Sequence, residues 1–199
     1  MRTGSALIIA GGRGRRLGYD KKTILLHGEP LIDRLLRRLS AHFSELLVSC
    51  NTPFTRTGVQ TVRDTLGTGP LAGIYQGLRV CESDYLYVTA CDMPHLSSAY
   101  IEHLLAKSGE GGCDLIAAVR EDGFIEPFNA LYHKNALPAI QQTLADKHYK
   151  IARALEKLHP LLISPATVAA FNTQNGNCNM FYNINEPRDL EALSGAGCP

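Results

Sequence analysis

The chain has 199 residues, the size of one domain with at most a small appendage, so a tandem of large domains is excluded. Hydrophobic residues make up 45% and charged residues 20%, ordinary globular usage that sets aside disordered and collagen-like chains. Twenty Lys and Arg against nineteen Asp and Glu leave a net charge of +1, without the broad basic surface that nucleic-acid duplexes demand. Six cysteines without a C-x-x-C pair are expected as reduced thiols. Met1 to Gly12 lacks the apolar segment of a signal peptide, and no apolar run approaches the ~18 residues of a membrane span. A cytoplasmic protein with neither nucleic-acid nor membrane partners is expected.

In chain order, the apolar run Ser5–Ala10, stopped by Gly11-Gly12, reads as a strand buried on both faces. From Pro30, apolar residues at Leu31, Ile32, Leu35, Leu36 and Leu39 alternate with Arg34, Arg37 and Arg38 at helical spacing, which predicts an amphipathic helix with a solvated arginine face and an Asp33–Arg37 pair. Strands are predicted over Leu46–Cys50, Gln60–Arg63 and Asp84–Ala90, with a helix over Leu71–Cys81 after the Gly67-Thr-Gly-Pro70 punctuation. Ser97 or Ser98 caps a helix to about Lys107. Asp114–Arg120 and Phe128–Tyr132 read as strands, and Ala136–Ala145 and Ile151–Leu158 as helices. Leu161–Asn179 shows no period, and its Asn-rich end reads as a flexible loop. Phe181–Ile184 is predicted as a strand, and Asn185 with Pro187 opens a last helix through Leu193. Strands alternating with helices throughout point to an α/β layered fold with a mostly parallel sheet, in a single domain over residues 1–199.

The most informative segment is Ile9-Ala-Gly-Gly-Arg-Gly-Arg-Arg-Leu-Gly-Tyr-Asp-Lys21. Within Arg13–Lys22, the cations Arg13, Arg15, Arg16, Lys21 and Lys22 face a single acid, Asp20, so those residues carry +4 while the rest of the chain carries −3. A glycine-rich, cationic loop leaving the carboxyl end of a buried strand is suited to bind a polyanion such as phosphate. The Walker pattern G-x-x-x-x-G-K-S/T is absent from the sequence. A dinucleotide turn fails as well: Gly12-x-Gly14-x-x is followed by Leu17, and the second strand ends at Asn51 rather than at a ribose-binding acid.

That segment is similar to the L-A-G-G-x-x-x-R-M-G-x-D-K signature of the molybdenum cofactor guanylyltransferases, a branch of the nucleotidyltransferases with a Rossmann-like three-layer α/β/α fold. Leu26-His-Gly-Glu-Pro-Leu31, Asp64, Gly69-Pro-Leu-Ala-Gly-Ile74, Thr89-Ala-Cys-Asp-Met-Pro94 and Phe181-Tyr-Asn-Ile-Asn-Glu-Pro-Arg-Asp-Leu190 resemble further blocks of that family, in family order over nearly the whole chain. The resemblance implies transfer of GMP from GTP to the terminal phosphate of molybdopterin with release of pyrophosphate. A nucleophile that is already an anion needs no Ser, Cys or His to activate it, so the protein positions two polyanions and neutralises charge.

By the same resemblance Ile9, Ala10, Gly11 and Gly12 line the nucleotide, Lys21 contacts its phosphates, and Arg16 stabilises the reacting phosphorus or the leaving pyrophosphate. Asp92, just past an apolar strand, would hold Mg²⁺, for which one or two carboxylates suffice; a loop-capping aspartate is the alternative role. Asn51 and Asp64 fall at positions contacting base and ribose, or are turn residues. Asn183 and Asn185 match a pair on the acceptor side and share a face if the segment is a strand, while Asn185 can also cap the last helix. Transient contacts with molybdenum-insertion and molybdoenzyme-maturation proteins are implied. Asn129 departs from the pattern, since relatives carry an apolar residue there. Cytidylyl transfer, another phosphorylated acceptor, a non-catalytic nucleotide-binding accessory protein and a hydride-transferring dehydrogenase are the competing readings; the Gly11-Gly12 pair, where cytidylyl relatives tend to have Ala-Gly, favours guanine. The scattered histidines and cysteines offer no zinc-binding spacing.

Overall fold

The computed structural model describes residues 4–11, 23–63, 69–186, 188–190 and 193. Its centre is a seven-stranded sheet. Strands β1 (Ser5–Ile9), β4 (Glu45–Ser49), β5 (Val59–Val62) and β6 (Tyr85–Ala90) run parallel, β8 (Ala130–His133) lies antiparallel beside β6, and β7 (Leu115–Ala118) and β9 (Pro160–Ile163) complete the order β5-β4-β1-β6-β8-β7-β9. The helices are α1 (Leu31–Leu39), α2 (Pro70–Val80), α3 (Ser98–Ser108), α4 (Leu137–Ala145), α5 (Ile151–Leu155) and α6 (Pro165–Gln174).

Alternation along the buried strands assigns the two faces of this mixed, mostly parallel sheet. Ala6, Ile8 and Ala10 of the first strand and its extension pack with Leu31, Leu35 and Leu39 of α1 and Tyr100 and Leu104 of α3. Leu7 and Ile9 pack with Leu71, Ile74 and Leu78 of α2 and, further along, Ile140 of α4. The result is a three-layer α/β/α sandwich. Helix α2 comes close to the sheet through Gly73 and Gly77: a Cβ on Gly73 would lie 2.5 Å from Ser49 Oγ, and one on Gly77 2.6 Å from Leu7 Cδ2.

The block around Leu26-His-Gly-Glu has a structural task of its own. Strands β2 (Leu25–Leu26) and β3 (Glu29–Pro30) form a hairpin whose two turn residues, His27 and Gly28, both have positive φ, 52° and 80°, the conformation of a tight primed turn. Pro30 then enters α1 as its N-cap residue, with Leu31 N–H on the Ile24 carbonyl at 2.8 Å.

Three expectations are corrected. Leu161–Asn179 contains the edge strand β9 and all of α6; Ser164 caps that helix by accepting from Thr167 N–H, with Pro165 in its first turn, but no residue of α6 is buried, so the helix leaves no periodic trace. The Asn-rich stretch is tied down rather than loose: Asn172 Oδ1 accepts from Met180 N–H at 3.1 Å and Asn179 Oδ1 from Phe181 N–H at 2.9 Å. Those amides are thereby occupied, and Phe181–Ile184 pairs with no strand among the described residues. Among the cysteines, Cys50, Cys81, Cys91 and Cys113 are reduced thiols as expected, whereas Cys178 is disulfide-bonded.

Candidate active site

The register of the central strands assembles the site. Ile9 lies opposite Ser49 of β4 and Ala90 of β6. Gly11, Asn51 and Asp92 each follow those in-register residues by two positions, at the carboxyl ends of three adjacent strands, where open α/β sheets bind ligands. The ladder continues past the strands: Ala10 N–H donates to the Ser49 carbonyl at 2.9 Å, Cys91 N–H to Ile9 at 3.0 Å, and Cys50 N–H to Val62 at 3.1 Å. Gly12, Arg16, Lys21 and Asp64 lie outside the described residues.

At Gly11 a Cβ would lie 3.7 Å from the Ser49 carbonyl oxygen and 4.0 Å from Cys50 Cα, ordinary contact distances. None of the described residues therefore imposes glycine there. Asn51 is exposed, at the mouth of a loop pinned by Thr61 Oγ1 on the Phe54 carbonyl (2.8 Å) and by Arg56, which spans both carboxylate oxygens of Asp33 at 2.8 and 3.2 Å. Asp33 thus pairs with this loop and not with Arg37, which instead clasps Glu29 at 2.7 and 3.1 Å.

Asp92 is 6% exposed, in a segment, 91–97, that is buried throughout. Met93 N–H returns to the Ala90 carbonyl at 3.1 Å, and Ile184 N–H donates to the Asp92 carbonyl at 2.8 Å. Arg38 reaches across from α1 to the Leu96 carbonyl at 2.5 Å, so it is a half-buried strut rather than part of a solvated arginine face. Burial, and then the neighbouring Arg34, lower its pKa. His95 is buried beside Tyr182, with ring centroids 6.2 Å apart; burial first, then Arg38 and Arg34, pushes its pKa down and favours a neutral imidazole.

The bond from Ile184 brings the Asn183–Asn185 pair beside Asp92. The two side chains do not share a strand face. Asn183 Nδ2 donates to the Phe181 carbonyl at 3.2 Å and Asn185 Nδ2 to the Asn183 carbonyl at 3.4 Å. Nor does the Asn185 side chain supply the cap of the last helix. The Asp189 carboxylate reaches back to the N–H groups of Asn185 (2.7 Å) and Glu186 (2.9 Å), one half of a capping box, and those two bonds hold the Asp189 carboxyl below its ordinary pKa.

Asn129 is a positioning residue that sequence reasoning left unexplained. It is 1% exposed with φ 50°, a left-handed conformation that Asn tolerates better than most residues. Its Oδ1 accepts from the hydroxyls of Tyr87 (2.9 Å) and Thr89 (2.8 Å), and its Nδ2 donates to the Met180 carbonyl at 2.6 Å. The segment from Met180 to Ile184 is therefore clamped twice, at Met180 by Asn129 and at Ile184 by Asp92. Hydroxyls at positions 87 and 89, on one face of an otherwise apolar strand, were the available sequence signal.

A single buried carboxylate at the sheet edge suits Mg²⁺, whose remaining ligands are commonly water and substrate phosphate oxygens. Among the described residues there is no cluster of three or more metal-ligating side chains, and no helix is long and apolar enough to cross a membrane.

The sequence profile of the MobA-like NTP transferase domain matches residues 6–174. The chain is 34% identical over 198 residues to a probable molybdenum cofactor guanylyltransferase of Peptoclostridium acidaminophilum, covering 96% of this chain and 88% of that one. It is likewise 34% identical to a molybdenum cofactor guanylyltransferase of Syntrophotalea carbinolica, with coverages of 96% and 90%. Among solved structures, a molybdopterin-guanine dinucleotide biosynthesis protein A from Archaeoglobus fulgidus superposes with a TM-score of 0.82 at 26% identity over 96% of both chains.

Proposed function

The chain belongs to the MobA-like NTP transferase family, and from that premise we propose that it is a molybdenum cofactor guanylyltransferase, transferring GMP from GTP to the terminal phosphate of molybdopterin. An oxygen of the acceptor phosphate attacks the α-phosphorus, the bond to the β-phosphate breaks, and pyrophosphate leaves. The observation that carries the reading is the in-register placement of Gly11, Asn51 and Asp92 on three neighbouring strand ends, a shelf for a nucleotide with a carboxylate at one side.

Ile9, Ala10, Gly11 and Gly12 line the nucleotide through the backbone, Asn51 and Asp64 read base and ribose, and Lys21 binds the phosphates. Arg16 stabilises charge on the reacting phosphorus or the leaving group. Asp92 holds Mg²⁺, which when bound neutralises phosphate charge during transfer. Asn183 and Asn185 orient the acceptor beside Asp92. The Gly11-Gly12 pair supports guanine over cytosine, and the room left for a methyl group at Gly11 by the described residues is in keeping with a glycine kept for close approach of the ligand. The reaction belongs in the cytoplasm, with transient contacts to the proteins that insert molybdenum and mature molybdoenzymes.

Thermal shift with nucleotides tests the binding half. At a hundredfold excess over Kd, GTP with Mg²⁺ stabilises the native state by about 2.7 kcal/mol, several degrees in Tm for a chain of this size. A response to NADH with none to GTP would contradict the transferase reading.

A further inference from the structure

Beyond β8, on the opposite side of Asp92 from Gly11 and Asn51, a cavity of about 660 Å³ opens at the end of β7. Its walls include Val119 and Arg120 beyond that strand, Glu126 before β8, Val168 and Asn172 of α6, and Phe181. The volume suits a small-molecule ligand. β6, which leads to Asp92, and β7, which ends at the cavity, are separated only by β8, two strand steps or roughly 10 Å. The backbone gives the same measure. Phe181 lines the cavity and Ile184 bonds to Asp92, and three residues of chain reach at most ~10 Å. A ring seated in the cavity can therefore deliver a phosphate on a short tail to Asp92.

The lining states what kind of ring. Val119, Val168 and Phe181 offer apolar surface; the carboxylates of Glu121 and Asp122 are exposed, and that of Glu126 is the half-buried one. Its backbone N–H is held by the Ala118 carbonyl at 2.9 Å, and its Oε1 lies 3.8 Å from Arg120. Burial pushes the Glu126 carboxyl up in pKa while Arg120 pulls it down. Tyr100 packs edge-on against Phe181, with centroids 6.2 Å apart. It is 1% exposed, its hydroxyl has no hydrogen-bond partner among the described residues, and burial first, then the Glu126 charge, pushes its pKa up. Buried polar groups left this way call for a partner. A carboxylate against an apolar wall matches a flat heterocycle with a ring N–H beside an amino group, since both can donate to its two oxygens. The 2-amino-4-oxopyrimidine ring has that edge, and guanine and pterin both contain it.

We propose that this cavity takes the pterin ring of the acceptor, with Glu126 accepting from its ring N–H and amino group and Phe181 covering its face. Position chooses pterin over guanine, because the nucleotide shelf lies on the other side of Asp92. The proposal rests on the guanylyl-transfer reading, and its test separates the two. With the full chain, Mg²⁺, GTP and molybdopterin, Glu126→Gln raises KM for molybdopterin about tenfold or more, as loss of a charge-assisted pair predicts, and leaves KM for GTP within twofold. An unchanged KM for molybdopterin, or a rise confined to GTP, overturns the proposal. A second arm needs no turnover and stands even if the wild type makes no dinucleotide. Titration with 6-hydroxymethylpterin, followed by its fluorescence, is expected to show binding tighter than that of its 2-oxo analogue, with the preference abolished in Glu126→Gln. Equal binding of the two by the wild type overturns the assignment.

Discussion

On one side of the cleft Gly11, Asn51 and Asp92 follow three neighbouring strands and are placed by backbone ladder bonds that continue beyond the strand ends. On the other, the chain from Asn172 to Asn185 has one backbone bond to the first side, Ile184 to Asp92, and is otherwise placed largely by side chains reaching backbone groups: Asn172 on Met180, Asn179 on Phe181, Asn129 on Met180 and Asp189 on Asn185. The first side inherits its geometry from the sheet and tolerates side-chain change wherever the strands persist. The second, proposed to hold the acceptor, depends mainly on a handful of amides and carboxylates, each of which can be removed singly. Substitutions on the first side should fall on chemistry, and those on the second on the placement of a segment.

The largest effect is expected at Asp92. Asp92→Asn keeps the size of the side chain and should lower transfer at least about a hundredfold while leaving Tm near that of the wild type; a normal rate across a range of Mg²⁺ would remove the metal assignment. On the acceptor side, Asn129→Ala strands two buried hydroxyls and the Met180 carbonyl, and should cost about 3 kcal/mol in denaturant unfolding, with KM for the acceptor rising more than KM for GTP. Equal change in both constants would mean that Asn129 supports the whole fold rather than the Met180 segment.

Gly73→Ala tests the sheet-inherited side more gently. Overpacking against Ser49 and Ile9 costs about 1–3 kcal/mol, and the better helix propensity of Ala returns about 1, so a net loss of up to about 2 kcal/mol is expected. A variant as stable as the wild type would show that β4 yields freely at Ser49. The smallest effect concerns pH. His95 has a lowered pKa in the folded state, so the unfolded chain binds more protons just below the ordinary value of about 6.5. Its contribution is complete above that value and is lost as pH falls through it. Unfolding free energy should rise with pH in that window and do so less steeply in His95→Gln; identical slopes would contradict the burial argument.

The same contrast explains what the sequence made legible. Ser5–Ile9, Glu45–Ser49 and Tyr85–Ala90 are apolar runs ending in turn residues, and their order locates the strand ends and with them Gly11, Asn51 and Asp92. Ser97 was readable as a cap and accepts from Tyr100 N–H. Helix α6 was not read because it buries nothing and so has no period, although Ser164-Pro165 marked its start. Phe181–Ile184 has the composition of a strand, but its placement is decided by asparagines distant in sequence, which hydropathy does not weigh. Asn129 looked like an interruption of an apolar run; only the positions of Tyr87, Thr89 and Met180 show it to be the joint between β6 and the segment from Met180 to Ile184.

The most direct test of the central claim is a single-turnover assay with purified protein, molybdopterin and Mg²⁺, offering GTP, CTP and ATP separately and following pyrophosphate and dinucleotide. The account predicts stoichiometric release of pyrophosphate and formation of the guanine dinucleotide with GTP alone. Dinucleotide formed preferentially from CTP would contradict the guanine assignment, and no dinucleotide from any nucleotide would contradict guanylyl transfer to molybdopterin.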